Sequence, residues 1–175
     1  MSFFKNRDKQ SPNLKAAVVA GAAAGLISGL VKLGWENLMP PRTPERDATN
    51  PPQKLLQQLG VPESATHATY RYSLHDLPWV SYLVHFGFSA SFAVLYEVLA
   101  QYEPKIKAGD GAAFGLAVWA AFHLGLMPAM KTVPAASDQP AEEHLSEALG
   151  HIVWMQTNDL IGDEVYRRLT DGKAD

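Results

Sequence analysis

Cysteine is absent from these 175 residues. That excludes disulfides, thiolate zinc sites, iron–sulfur clusters and a catalytic thiol, and it leaves histidine and carboxylates as the only side chains able to hold a metal. A basic stripe with interleaved aromatics is also missing, and the net charge is −3. Nucleic acid is therefore set aside as a partner. Charge is scarce as well, at 19% of residues, and it is gathered into the two ends and one long loop. The mean hydropathy of −0.10 hides this unevenness, because the runs between the charged segments are almost free of charge. The distribution, more than the mean, points to a membrane protein.

Four runs carry the pattern. The first, Leu14 to Trp35 (14–35), follows a start containing Lys5, Arg7, Lys9 and Lys15. At 1.5 Å per residue its 22 residues reach roughly 33 Å, enough to cross a bilayer. It is long for a signal peptide and lacks a small-residue cleavage site with a polar start behind it, so an uncleaved anchor is expected. The second run is 79–102, with Trp79 and Tyr102 at its ends like interfacial anchors. The third is 112–130, with His123 as its sole ionisable residue. The fourth is 144–162.

Between the first two runs, residues 37–78 are rich in proline and charge. The X-Pro steps at Pro40, Pro41, Pro44, Pro51 and Pro52 forbid a long helix. A surface connection with one short amphipathic helix, Pro52 to Leu59, is expected there. The fold class that follows is all-α, an integral membrane four-helix bundle forming a single domain over 1–175, with a Pro-rich extracytoplasmic loop.

Within the first run Gly21, Gly25 and Gly29 recur every four residues, a small-residue face that admits another helix closely. The expectation is a homo-oligomer joined through this face. Lys32 and Glu36 continue it.

The fourth run, EHLSEALGHIVWMQTN, is too polar to face lipid and too apolar to face water. Glu143, Glu147 and His151 share one helical face. Asp at a helix centre costs about 2.5 to 3.5 kcal/mol on insertion scales and a Leu returns only about 0.3 to 0.6, so such a polar helix needs partners on other helices.

Lys and Arg fall unequally on alternate sides of the four runs. Lys5, Arg7, Lys9, Lys15, Lys105, Lys107, Arg167, Arg168 and Lys173 lie on one side, and Arg42, Arg46, Lys54, Arg71 and Lys131 on the other. The excess of positive residues in short segments marks the cytoplasmic side, so both termini are expected inside. Depths counted from the outer ends then put Lys32 and Glu147 at roughly 6 Å, His85 at roughly 9 Å, His123 at roughly 10 Å and His151 at roughly 12 Å. Ionisable groups from four helices fall in one layer, and the low-cost arrangement turns them toward one another or toward a wet cavity open to the outside.

Three functions fit such a layer. His85, His123, Glu147 and His151 match a ligand set for zinc or another divalent metal, with Glu147 and His151 at helical i, i+4 spacing. The same residues with Lys32 and Glu36 make a proton-responsive cluster, since histidine titrates near neutral pH. A buried network that only holds the helices together is the third. A soluble amphipathic bundle remains as the alternative to the membrane reading.

The pieces GAAAGLISGLVKLGWE, LMPPRTP, HFGFSASFAVLYEVLAQYEPKIK, HLGLMP and EEHLSEALGHIVW, in this order, resemble the YagU family of small bacterial inner-membrane proteins. The resemblance implies a bacterial inner-membrane location, a connection with survival in acid, and no established enzymatic activity. It also implies a residue set of Lys32, Glu36, Arg42, His85, His123, Glu147, Gly150, His151 and Trp154. Gly150 and Trp154 read as helix-packing residues and Arg42 as a loop residue. Gln101 departs from the family pattern in the stretch before PKIK.

Overall fold

The computed structural model describes residues 11–171. Lys5, Arg7, Lys9 and Lys173, which entered the count of positive charge, lie outside the described residues. The first helix, α1, spans Leu14–Leu38. Asn13 starts it, its side-chain oxygen accepting the Ala16 amide hydrogen bond at 3.1 Å, and a run of Ala, Val, Leu and Gly carries it without interruption. Helix formation stops where Pro40 and Pro41 remove backbone donors and restrict the residue before them.

The segment after α1 holds more structure than one short helix. It contains the single turns α2 (Pro44–Asp47) and α4 (Glu63–Thr66), and between them α3 (Pro51–Gln58). A reciprocal capping box starts α3: Asn50 Oδ1 accepts from the Gln53 amide at 3.1 Å, and Gln53 Oε1 accepts from the Asn50 amide at 2.9 Å. A two-stranded antiparallel hairpin follows, β1 (Tyr70–Tyr72) with β2 (His75–Leu77). The expectation of a plain connection with one helix is corrected here. Helical periodicity could not report a three-residue strand pair or one-turn helices, which start here at the Thr43 cap with Pro44 behind it and at Pro62.

Helix α5 covers Trp79–Leu99, ending three residues before the expected Tyr102. The third long helix, Ala112–Ala129, comprises α6 (Ala112–Trp119), a π-helical stretch Ala120–Leu126, and α7 (Met127–Ala129). Helix α8 runs Ala141–Asp171, past both ends of the expected 144–162. Its last turns are held by Glu164, which accepts from Arg167 and Arg168 at 2.6 Å each. The chain is thus mostly helical. Among the described residues, α1, α5 and the third long helix are long and apolar enough to cross a membrane.

Helix α1 packs along both α5 and α8, and α6 packs on α8. Aromatic contacts close the remaining side: Phe122 meets Phe88 and Phe92 edge-on, at centroid distances of 5.0 and 5.4 Å. Gly21, Gly25 and Gly29 of α1 face α5 of the same chain. A Cβ on Gly25 would lie 2.6 Å from Ala90 Cα, and one on Gly21 would lie 2.6 Å from Val94 Cα. The homo-oligomer interface expected on Gly21, Gly25 and Gly29 is corrected accordingly, because α5 already fills that face. The close approach also lets Ser89 Oγ donate to the Gly25 carbonyl at 2.6 Å, a contact that two backbones separated by larger side chains would not reach.

Candidate functional site

Glu147 stands at the centre of the site, 5% exposed on the inner face of α8. Arg42, from the segment after α1, donates through Nη1 to Glu147 Oε1 at 2.8 Å. Around the other oxygen, Oε2, lie His123 Nε2 at 3.5 Å, Lys32 Nζ at 3.6 Å and His151 Nδ1 at 3.9 Å. Those three separations exceed a normal hydrogen bond, and Oε2 is buried with no hydrogen-bond donor.

Each neighbour is held by something else. Lys32 Nζ donates to Glu36, one helical turn along α1. Arg42 Nε donates to Asp47 Oδ1 at 3.0 Å. His151 Nδ1 lies 2.7 Å from the Glu147 carbonyl oxygen, so the proton of the neutral ring belongs on Nδ1 and Nε2 is left as an acceptor. His85 Nε2 lies 2.9 Å from the Gly29 carbonyl, and the same argument puts its proton on Nε2. The rings of His123 and His151 meet edge-on with centroids 5.2 Å apart. His123 sits in the π-helical stretch, and irregular turns of this kind are found frequently at functional sites.

Beneath this layer Trp154 is fully buried, with Nε1 donating to Ser89 Oγ at 2.7 Å. Gly150 leaves room for Trp35, whose ring would lie 2.9 Å from a Cβ at that position. Trp35 Nε1 donates to the Ser146 carbonyl at 3.0 Å, and Ser146 Oγ donates to the Met39 carbonyl at 2.5 Å. Those two bonds tie the end of α1 to α8 beside the cluster.

The cluster opens into a cavity of about 590 Å³. Its polar wall includes Lys32, Glu36, Arg42, His85, His123, Glu147 and His151, and its apolar wall includes Phe88, Phe122, Leu126, Met127 and Met130. The structured segment after α1 contributes Arg42, Asp47 and Asn50 to one side. Asn50 Nδ2 donates to Ser81 Oγ at 3.0 Å, and Gln58 Nε2 donates to the Met130 carbonyl at 2.9 Å. These bonds fasten the segment to α5 and to the end of the third long helix.

For a metal, the ligand set of His85, His123, Glu147 and His151 is reduced to three members. Ligand atoms of His123, Glu147 and His151 lie within 4.8 Å of one another, while His85 is turned to the Gly29 carbonyl. Lys32 and Arg42 both face the carboxylate that would bind the ion. Two fixed cations beside a third charge of the same sign oppose its entry.

Arg42 is a loop residue in the structure as well, between α1 and α2, and its guanidinium is part of the buried cluster. Two groupings were not anticipated. Arg46 Nη1 lies 2.8 Å from Glu143 Oε2. At the opposite end of the helices, Lys107 Nζ contacts Asp159, Asp163 at 2.8 Å and Glu97 at 3.9 Å, and Tyr96 OH donates to Asp159 Oδ1 at 2.7 Å. Burial pulls the Lys107 pKa down, but Glu97, Asp163 and Asp159 outweigh it and hold the ammonium above the ordinary lysine value. The i, i+4 spacing of Asp159 and Asp163 was the available signal; their common partner was visible only in three dimensions.

Residues 26–160 match a family model described as a protein of unknown function, DUF1440. The chain is also 30% identical to a protein of Escherichia coli strain K12 named inner membrane protein YagU, over an alignment covering 97% of this chain and 94% of the relative. No solved structure matches the chain.

Proposed function

Starting from the premise that this chain belongs to the DUF1440 family, together with the inner membrane protein YagU, we propose that it is a multi-pass inner-membrane protein whose His/Glu/Lys/Arg cluster responds to or conducts protons under acid stress. The observation that carries this reading is the surrounding of Glu147: a buried carboxylate in range of Lys32, Arg42, His123 and His151 at once. Histidine is the side chain whose ordinary titration falls between neutral and mildly acid pH. Each proton added to His123 or His151 brings a cation into a sheltered pocket already holding Lys32 and Arg42. Coulomb repulsion there is far stronger than in water, so a one-unit change in pH becomes a change in the forces between α1, α8 and the third long helix.

In this reading residues 1–175 form one membrane domain of four spans, α8 being the polar fourth. Both termini lie in the cytoplasm, and the cavity opens to the outer side. The inequality in Lys and Arg supports that orientation. Lys32 with Glu36 sets the resting charge, and His85, His123 and His151 titrate. The test is acid survival of cells carrying His151→Ala or Glu147→Gln at protein levels matched to the wild type. Loss of survival with normal abundance is the expected result; intact survival would sink the proposal. Lower abundance and thermal stability without any pH-specific defect would mean that the network only fixes helix packing.

The convergence of His123, Glu147 and His151 favours a second reading, a metal-dependent activity at the same residues. Zinc is the ion such a donor set suits, with Glu147 as the anionic ligand. Elemental analysis of the purified protein, beside a His123→Ala, His151→Ala variant, separates the two readings. Stoichiometric zinc, iron or manganese lost in the variant would establish the metal.

A further inference from the structure

A cavity of about 590 Å³ is far larger than a proton path or a single ion requires. It falls within the size range of sites that bury a small organic ligand. Its composition is divided, with charged groups at one wall and Phe88, Phe122, Leu126, Met127 and Met130 at another. The matching ligand has a polar head and an apolar body.

The head is specified by Glu147. Glu147 lines the cavity, and its Oε2 is buried with no hydrogen-bond donor. A buried acceptor left without a donor is costly, so the complementary head group donates a hydrogen bond there. Beside Oε2, Lys32 Nζ uses one of its protons on Glu36 and has two more to give. The head group therefore donates to Oε2 and accepts from Lys32 at neighbouring atoms. A carboxylate offers no proton and would set a second negative charge against Glu147. An ammonium donates but accepts nothing and would be placed against Lys32. An undissociated carboxylic acid does both, with its O–H on Glu147 and its carbonyl oxygen on Lys32.

We infer that the cavity binds an undissociated monocarboxylic acid with an apolar body, its head hydrogen-bonded between Glu147 Oε2 and Lys32 Nζ and its body against Phe88, Phe122 and Leu126. This deepens the reading given above and rests on the same cavity, but the pH dependence it requires comes from the ligand. The charged and titratable groups around Glu147 are Lys32 and Glu36 from α1, Arg42 and its partner Asp47 from the following segment, His85 from α5, His123 from the third long helix, and Glu143 and His151 from α8. Any change they undergo with pH must be separated from the ionisation of the acid.

The test uses the full chain purified in detergent, with calorimetric titration of benzoic acid, benzyl alcohol and benzylamine between pH 4.5 and pH 7. Benzyl alcohol is neutral throughout, so its binding reports any change in the protein itself. Benzoic acid is expected to bind saturably at the acid end, its apparent affinity falling about tenfold per pH unit above its own pKa relative to the alcohol. Benzylamine is expected not to compete. Glu147→Gln should weaken benzoic acid at least tenfold, and Val84→Trp, which places a large side chain in the cavity, should abolish binding. Absence of saturable binding, an affinity for benzoic acid that tracks the alcohol at every pH, or equal competition by benzylamine would each overturn the inference. These outcomes are independent of the proton reading: acid-survival defects in Glu147→Gln and His151→Ala without benzoic acid binding would remove the ligand alone. Binding with intact survival would remove the acid-stress role alone.

Discussion

Replacing Gly25 by alanine tests the contact on which the placement of the cavity depends. The new methyl carbon would lie 2.6 Å from Ala90 Cα and 2.9 Å from the Ser89 carbonyl oxygen, whereas carbon atoms in optimal contact sit about 3.5 to 4.0 Å apart. The obstacle is backbone, so α1 and α5 must part by about 1 Å at that level. Overpacking of this kind costs about 1 to 3 kcal/mol. The separation also stretches the Ser89 hydrogen bond to the Gly25 carbonyl, and interhelical bonds in membranes contribute about 0.6 kcal/mol on average.

Alanine recovers up to about 1 kcal/mol of helix propensity over glycine, and the proper reference removes that gain. Gly34 lies on the same helix with nothing within 4 Å of a Cβ built on it, so Gly34→Ala collects the propensity without the clash. The difference in stability between Gly25→Ala and Gly34→Ala is expected to be about 2 to 4 kcal/mol. Equilibrium unfolding in mixed micelles, repeated over a range of protein concentrations, measures it. Equal stability of the two variants would refute the packing argument. A loss at Gly25 that grew or vanished with protein concentration would show that the glycine face joins separate chains.

Three further outcomes follow from the two buried charge clusters and the tryptophan between them. Arg42→Met removes the cation nearest Glu147 and should destabilise the folded protein by about 3 to 5 kcal/mol, as breaking a buried pair does, measured by the same unfolding assay; a loss under 1 kcal/mol would mean that the Arg42 contact is a solvated surface pair. Trp154→Phe preserves an aromatic ring but removes the donor to Ser89 Oγ, with an expected cost of about 0.6 to 1.7 kcal/mol and loss of one hydrogen-bonded indole component from the ultraviolet resonance Raman spectrum. Lys107 has its pKa raised by its carboxylate partners, so its stabilisation is fully present below the unfolded lysine value and is lost only as pH climbs through the higher folded one. Unfolding stability should therefore show no contribution from Lys107 titration between pH 7 and pH 9, and Lys107→Met should lower stability equally at both pH values; a loss concentrated near pH 9 would contradict the raised pKa.

Much of this protein's framework could be read from residue order. Long charge-poor runs can bury a helical backbone in lipid without leaving polar groups unsatisfied, so α1, α5 and the third long helix were located to within a few residues of their ends. The i, i+4 spacing of Glu147 and His151 put both on one face whatever surrounded them. Arg42 shows where that method stops. Its position after two prolines identified a loop, and only the return of that loop over α8 brought its guanidinium within 2.8 Å of Glu147. Gly21, Gly25 and Gly29 likewise announced a close helix contact but not its partner, because a small-residue face fits α5 of the same chain or a second chain equally well. Lys107 and Asp159, 52 positions apart, met only when α8 packed beside the turn after α5. Periodicity is a property of one helix, so the sequence determined which faces had to be covered. Which faces met, which carbonyl oriented His85 and which oxygen of Glu147 was left without a donor depended on distances between helices, and the tertiary structure decided them.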